Sequence, residues 1–230
     1  DILGDSERAY LVGVGTTFYV ASFGSYMFSS FGGEYFPAIS SDEFIEVSNV
    51  NQKSVTLALS QSGETYDTLA ALKYAKARGG ETAAIVNVMG SSIARMVDHV
   101  ILQGSGPEIS VISTKAALTQ MTILTRLALR LALKKKRIRK KDYESSLGQL
   151  REMPEIIHGI LNERSGFIHR IANSYCNVKN WLYLGRGRYY SVALESALKM
   201  KEVAYVHAEG MPGGFLKHGT LALIDEDMYS

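Results

Sequence analysis

Short apolar runs that stop at glycine or hydroxyl residues, each followed by a stretch of helical spacing, recur along this chain. Residues 9–15 form the first such run and close on Gly13 and Gly15; residues 16–22 then begin a helix with Thr16 and Thr17. Residues 35–39 read as a short second strand, and Pro37, which cannot donate to a ladder, places it at an edge. Residues 54–59 and 82–88 are apolar enough to be the third and fourth strands, with a helix over 65–78 between them, and residues 99–103 make a fifth. Strands without a polar face, alternating with helices, predict an α/β fold with a parallel sheet covered on both sides.

A long helix is expected to follow from about residue 116 into a basic cluster. Residues 142–178 keep helical spacing through Leu147, Leu150, Ile156, Ile157, Ile160 and Leu161 and read as a helical connection. The first pattern then returns. Residues 180–187 are again a strand ending in glycines, Gly185 and Gly187, before a helix over 189–207. Such repetition predicts a second copy of the first unit. The copy is incomplete, because the sequence ends at Ser230 soon after the run 221–224. The expected division is 1–142 for the first unit, 143–178 for the connection and 179–230 for the second copy.

Ligands of parallel sheets bind beyond the carboxyl ends of the strands, where hydroxyl residues gather here. Ser60, Ser62 and Thr65 lie between the third strand and the next helix. The first N–H groups of that helix lack internal partners and attract an anion, and three hydroxyls beside them suit a phosphate ester. An ordinary N-cap, with Ser or Thr satisfying the first turn, explains the same residues. Ser113, heading the long helix, has the same two readings. Glu195, Lys199 and Glu202, four and three apart, share one helix face. They are either a surface ion-pair ladder or proton-transfer groups in a cleft, and the apolar helix around them favours the second. His218, in the glycine-flanked segment 213–219, suits proton transfer to a sugar oxygen. His158 and His169 read as surface or packing residues.

Composition changes this picture little. Hydrophobic residues make up 46% of the chain and charged residues 21%, ordinary for a chain with a buried core. The net charge of +2 hides a cluster, because seven of the eight residues from Lys134 to Lys141 are basic and the rest of the chain is net acidic. A nucleic-acid surface would spread beyond one run. The cluster instead reads as the solvated end of a helix, where cations complement the dipole, and no nucleic-acid partner is expected. Cys176 is the only cysteine, so no internal disulfide forms and a reducing, cytoplasmic setting is expected. No apolar run approaches the roughly 20 residues of a membrane span, and the N-terminus does not read as a signal peptide, so no membrane partner is expected. No metal or redox cofactor is indicated. The chain starts at Asp1 rather than methionine, as a processed product or a piece of a longer chain would.

Four motifs occur in an order that matches one enzyme family: S-Q-S-G-E-T from Ser60 to Thr65, S-T-K-A from Ser113 to Ala116, A-L-E-x-A-L-K-x-K-E from Ala193 to Glu202, and L-K-H-G from Leu216 to Gly219. Over nearly its whole length the chain resembles the sugar-isomerase (SIS) part of the glutamine–fructose-6-phosphate aminotransferases. The resemblance implies tandem flavodoxin-like domains, each a three-layer αβα sandwich with a parallel sheet. It implies that Ser60, Gln61, Ser62 and Thr65 hold the phosphate and adjacent hydroxyls of a hexose phosphate, with Thr17, Ser113 and Val111 completing the pocket. Glu202 would move the proton between C1 and C2 of the open-chain sugar and Lys199 would assist, with Glu195 in the same helix motif. His218 would open the sugar ring in the active site of the neighbouring subunit of a homodimer. No cofactor is implied. This chain has Val14 and Thr17 where the family usually has cysteine and serine, and Phe215 and Thr220 where glutamate and proline are common. The family's glutaminase domain, and the C-terminal lysine that forms a Schiff base, lie outside this sequence. Two alternatives stay open: a SIS-type glucosamine-6-phosphate deaminase and a non-catalytic phosphosugar sensor.

Overall fold

Every residue from Ser54 to Ser60 is buried, and a strand covered on both faces keeps no solvent side on which polar residues could alternate. That strand is the centre of a parallel sheet. The computed structural model describes residues 2–224 and 228–229; Asp1 and Ser230, the outer limits of the expected division, lie outside the described residues. The elements run α1 (Ile2–Asp5), β1 (Arg8–Gly13), α2 (Thr16–Met27) continued by a π-turn (Phe28–Gly32), β2 (Ala38–Ser40), α3 (Phe44–Val47), β3 (Ser54–Ser60), α4 (Tyr66–Ala77), β4 (Glu81–Val86), α5 (Ser92–Met96), β5 (His99–Leu102), α6 (Thr114–Lys134), α7 (Lys140–Ser174), β6 (Asn180–Gly185), α8 (Arg188–Ala204), β7 (His207–Pro212) and β8 (Met228–Tyr229). The first sheet has the order β2-β1-β3-β4-β5 and the second β7-β6-β8. All their pairings are parallel.

Side-chain alternation in the first sheet builds two cores. Ala9, Leu11, Val55, Leu57, Leu59 and Ile85 face α2 and α6, where they meet Val20, Leu124 and Leu131. Tyr10 and Val12 face the other way onto Phe44, Ala71 and Ala75, and Ala58, Ala84 and Val86 onto Leu72 and Ile93. The result is the three-layer αβα sandwich expected. Each fully buried Leu or Ile here contributes about 1.5–3 kcal/mol relative to exposure.

Several boundaries move for identifiable reasons. The second strand begins at Ala38, after Pro37, which supplies only a carbonyl, an acceptor for the Leu11 N–H at 3.0 Å; its edge position is as expected. The helix expected to reach residue 207 ends at Ala204, because Tyr205 takes a left-handed φ of 55°. His207 then opens β7, which pairs with β6. The glycine-flanked segment carries a single 3-10 turn, Leu216–His218. The connection is one continuous helix of 35 residues, α7, with none of its residues buried; it starts at Lys140, so the expected limit at 142/143 falls inside it. The basic cluster is tied down by ion pairs: Lys135 with Glu34, and Arg139 with Asp142 at 2.7 Å. α6 is long and apolar enough, by length and composition, to cross a membrane, although Lys115, Arg126 and Arg130 interrupt its apolar run. Its Leu124, Ala128 and Leu131 are core residues against the sheet.

The expected repeat is visible in backbone angles. Gly15 stands at φ 59°, ψ −130° before α2, and Gly187 at φ 57°, ψ −133° before α8. At Gly13 a Cβ would lie 2.7 Å from Thr17 Oγ1, and at Gly185 it would overlap the Tyr189 carbonyl oxygen. In both copies the strand end touches the helix four residues on, and only glycine allows that approach.

Two outcomes follow. Gly185→Ala is expected to lower stability by roughly 2–4 kcal/mol, read by urea unfolding. Gly148→Ala, within α7 and with open space around its Cα, is expected to raise it by about 0.5–1 kcal/mol; equal effects at the two sites would contradict the close approach. Asp98 concerns pH. Lys76 lies 2.9 Å from Asp98 Oδ1, and Oδ2 accepts from Thr82 N and Oγ1. Lys76 first, then Thr82, lowers the Asp98 carboxyl to about 2 from 3.8. A lowered pKa stabilises the fold above the unfolded value and is lost as pH falls through the folded one. Asp98→Asn is therefore expected to cost about 1 kcal/mol at pH 7, discounted for solvent screening. Its difference from wild type should shrink between pH 4 and pH 2 in acid unfolding.

Candidate functional site

Helices α2, α4, α6 and α8 start without a side-chain cap, as do α3 and α7, whereas α5 is capped by Ser91 Oγ, which accepts from Ala94 N. The ordinary-cap reading therefore fails at the loop after β3. Thr65 holds the N-cap position of α4, but its Oγ1 lies 3.1 Å from Ser60 Oγ rather than on the first turn. Ser60 Oγ accepts from Gly63 N at 3.0 Å and Ser62 Oγ from Glu64 N at 3.2 Å. The hydroxyls shape the loop, and the first-turn N–H groups of α4 are left to an outside acceptor. Gln61 and Ser62 are half-buried. The loop is fixed from beneath: Asn87 N donates to the Gln61 carbonyl at 3.1 Å and Ser92 N to Glu64 Oε1 at 2.7 Å. The Ser92 N–H holds the Glu64 carboxyl below its usual range.

The turn after β1 divides its two threonines. Thr17 Oγ1 donates to the Val14 carbonyl and accepts from Val14 N, both at 2.9 Å, so that hydroxyl closes its own turn. Thr16 reaches across to the second unit. Its Oγ1 donates to Glu195 Oε1 at 3.2 Å and accepts from Lys199 Nζ at 3.0 Å.

Lys199 is the hub. Its Nζ also donates to the Ile112 carbonyl at 2.7 Å, lies 2.6 Å from Glu202 Oε2 and 3.4 Å from Glu195 Oε1. The side chains of Lys199, Glu195 and Glu202 are 20%, 13% and 31% exposed, too covered for a surface ladder. Burial pushes the Glu195 carboxyl up, against the opposing pull of the Lys199 ammonium, and its buried Oε2 has no hydrogen-bond partner among the described residues. A cation flanked by two carboxylates, with one carboxylate oxygen free, can carry and exchange protons.

The remaining candidates are placed less closely. Ser113 has a left-handed φ of 55° and caps nothing with its side chain. Glu108 Oε2 instead accepts from Ala116 N at 3.2 Å, so a carboxylate of the protein already occupies the first turn of α6. Val111 is exposed on the same loop, one residue before the Ile112 carbonyl that meets Lys199. His218 is exposed, and among the described residues its ring has no hydrogen-bond or ion-pair partner. His158 and His169 lie on the exposed surface of α7, as expected. Sequence reasoning missed Thr16 as distinct from Thr17, Glu108, and the Ile112 carbonyl. A threonine pair beside the glycine turn was the only signal for the first, and a main-chain oxygen has none. Among the described residues no group of three or more His, Cys, Asp or Glu could hold a metal ion.

A family model described as SIS domain matches residues 2–130 and 174–229. The glutamine–fructose-6-phosphate aminotransferase (isomerizing) of Caldanaerobacter subterraneus subsp. tengcongensis is 41% identical, and that of Methanococcus maripaludis 42% identical, each over 96% of this chain. The chain spans 36% of the length of each of these relatives. The solved C-terminal domain of glucosamine-fructose-6-phosphate aminotransferase from Francisella tularensis superposes with a TM-score of 0.93 at 32% identity, over 99% of this chain and 64% of that one. A glucosamine-6-phosphate deaminase from Thermotoga maritima shares the fold, with a TM-score of 0.79 at 20% identity over 99% of this chain and 67% of that one.

The raised Glu195 pKa has a testable sign. A carboxyl raised in the folded state makes stability fall as pH rises through its titration. Glu195→Gln keeps the shape without the charge, so it is expected to be more stable than wild type at pH 8, with the difference vanishing below the ordinary carboxyl value of 4.5. Thermal unfolding across pH reads this; a variant less stable than wild type at pH 8 would show that the Lys199 pairing outweighs desolvation.

Proposed function

The chain belongs to the SIS-domain family, and on that premise we propose that it binds a hexose phosphate and interconverts its ketose and aldose forms, as the isomerase part of a glutamine–fructose-6-phosphate aminotransferase. The observation that carries this reading is the Lys199 hub, which sets a carboxylate pair of α8 against the hydroxyl of α2 and the loop before α6. Ser60, Gln61, Ser62 and Thr65, with the open first turn of α4, hold the phosphate, and Thr17, Ser113 and Val111 line the pocket. Glu202 removes a proton from C1 of open-chain fructose 6-phosphate, leaving an enediolate, and returns it to C2 while a proton passes from O1 to O2 to give the aldose. The Lys199 ammonium stabilises the negative charge that builds on the enediol oxygen, and Glu195 orients Lys199.

His218 opens the sugar ring. Its exposed position, without a partner among the described residues, fits a role in the site of a second subunit, so a homodimer is the active form in this reading. The division at residues 142 and 178 belongs to the same reading, with α7 carrying the chain between the two units. A cytoplasmic setting fits a chain whose lone Cys176 is a free, exposed thiol. No observation favours the deaminase or sensor alternatives over this reading.

Glu202→Gln is expected to lower isomerisation of fructose 6-phosphate by about 10²–10⁴-fold while leaving its affinity within about twofold of wild type. Retained turnover would remove Glu202 as the base. Ser62→Ala combined with Thr65→Ala is expected to weaken hexose phosphate binding by roughly ten- to a hundredfold, the loss of charged hydrogen bonds. An unchanged affinity in that double variant would remove the phosphate assignment.

A further inference from the structure

A line of polar side chains, two of them buried glutamines, leads from α6 to the loop before it, and the chemistry proposed above does not use it. Gln120, on the inner face of α6, is 1% exposed, and its Nε2 donates to Gln103 Oε1 at 2.9 Å. Gln103 is the residue after β5 and is 6% exposed; its Nε2 donates to Ser105 Oγ at 2.8 Å. Ser105 donates both its N–H and its hydroxyl to Asn87 Oδ1 at 3.1 Å, and Asn87 Nδ2 donates to the Gly106 carbonyl at 2.7 Å. Gln120 Oε1 itself has no partner among the described residues. An apolar side chain of similar volume would fill that position without stranding a buried carbonyl, so packing alone does not account for a glutamine there.

What the relay holds is the start of the segment 103–113. Gly104 and Gly106 both stand at φ +70°, a backbone conformation that glycine adopts without strain. Farther along, Glu108 binds Ala116 N and Lys115 Nζ binds the Pro107 carbonyl, and the segment then delivers the Ile112 carbonyl to Lys199. The two ends of the segment are thus fixed by the amide relay and by Lys199.

We propose that Gln120 is a positioning residue: through Gln103, Ser105 and Asn87 it fixes the glycine-containing segment 103–113 so that the Ile112 carbonyl meets Lys199. The functional part rests on the reading that Lys199 and Glu202 act on substrate; the structural part does not. Two variants of the full chain test it. Gln120→Leu removes the donor, and Gln120→Leu with Gln103→Leu removes both partners, leaving no stranded amide in that pair to unfold the core. Hydrogen exchange over 103–113 and acylation of Lys199 by an activated ester read the segment directly, and ketose–aldose turnover reads the consequence. Both variants are expected to stay folded, to exchange these amides at least about tenfold faster, to label faster at Lys199, and to lose about tenfold in kcat with KM within about twofold. Wild-type exchange and labelling in a folded variant would overturn the proposal whatever the activity. Faster exchange with unchanged kcat, while Glu202→Gln abolishes turnover, would overturn its functional part. If Glu202→Gln retains turnover, the site reading fails instead, and exchange and labelling still decide whether Gln120 holds the segment.

Discussion

The ammonium group of Lys199 ties together the two halves of this chain. A cation taken largely out of water is tolerated only when its hydrogen bonds and charge are matched, and Lys199 draws its match from three separate segments. Thr16 comes from the first turn of α2, the Ile112 carbonyl from the loop before α6, and Glu195 and Glu202 from its own helix. The packing of α8 on α2 must therefore be close and in register. On α8 the buried Ser191 fits against α2, its Oγ donating to Ser22 Oγ at 3.0 Å. The site is then a property of the junction between the two units rather than of either unit.

The repeat explains how such a junction arises. Each unit contributes a strand, a glycine turn of the same backbone geometry and a helix whose start lacks a side-chain cap. Two such units brought together place α2 against α8 while the units keep different chemistry. The first supplies hydroxyls and open N–H groups, which suit an anion; the second supplies the lysine and carboxylates, which suit proton movement. Division of labour between copies of one motif needs no change of fold, only of the residues that follow each turn.

Much of the fold was legible in the sequence because burial on both faces leaves an unmistakable mark. The run from Ser54 and the glycine-ended runs at Gly13 and Gly185 could hardly be anything but strands of a covered sheet. Spacing alone put Glu195, Lys199 and Glu202 on one face. What the sequence did not show was decided by a single backbone angle or a tertiary contact. Tyr205 in the left-handed region ended α8 early and released His207 into β7. Of two adjacent threonines, Thr17 closed its own turn and Thr16 crossed to the second unit, a choice set by the docking of α8. Ser113 looked like a cap, yet Glu108 occupies that helix start from five residues away in sequence, held there by the loop's own folding. The length of α6 alone suggests a membrane span, and only its contacts with the sheet show it as core.

Calorimetric titration of the chain with fructose 6-phosphate, with inorganic phosphate as the reference ligand, tests the central claim most directly. A junction that joins an anion-binding loop to a proton-transfer group should recognise the sugar as well as its phosphate. The expected result is one saturable site per chain that binds fructose 6-phosphate at least about tenfold more tightly than phosphate, about 1.4 kcal/mol. Equal affinities for the two ligands, or no binding of fructose 6-phosphate by the folded chain, would contradict it.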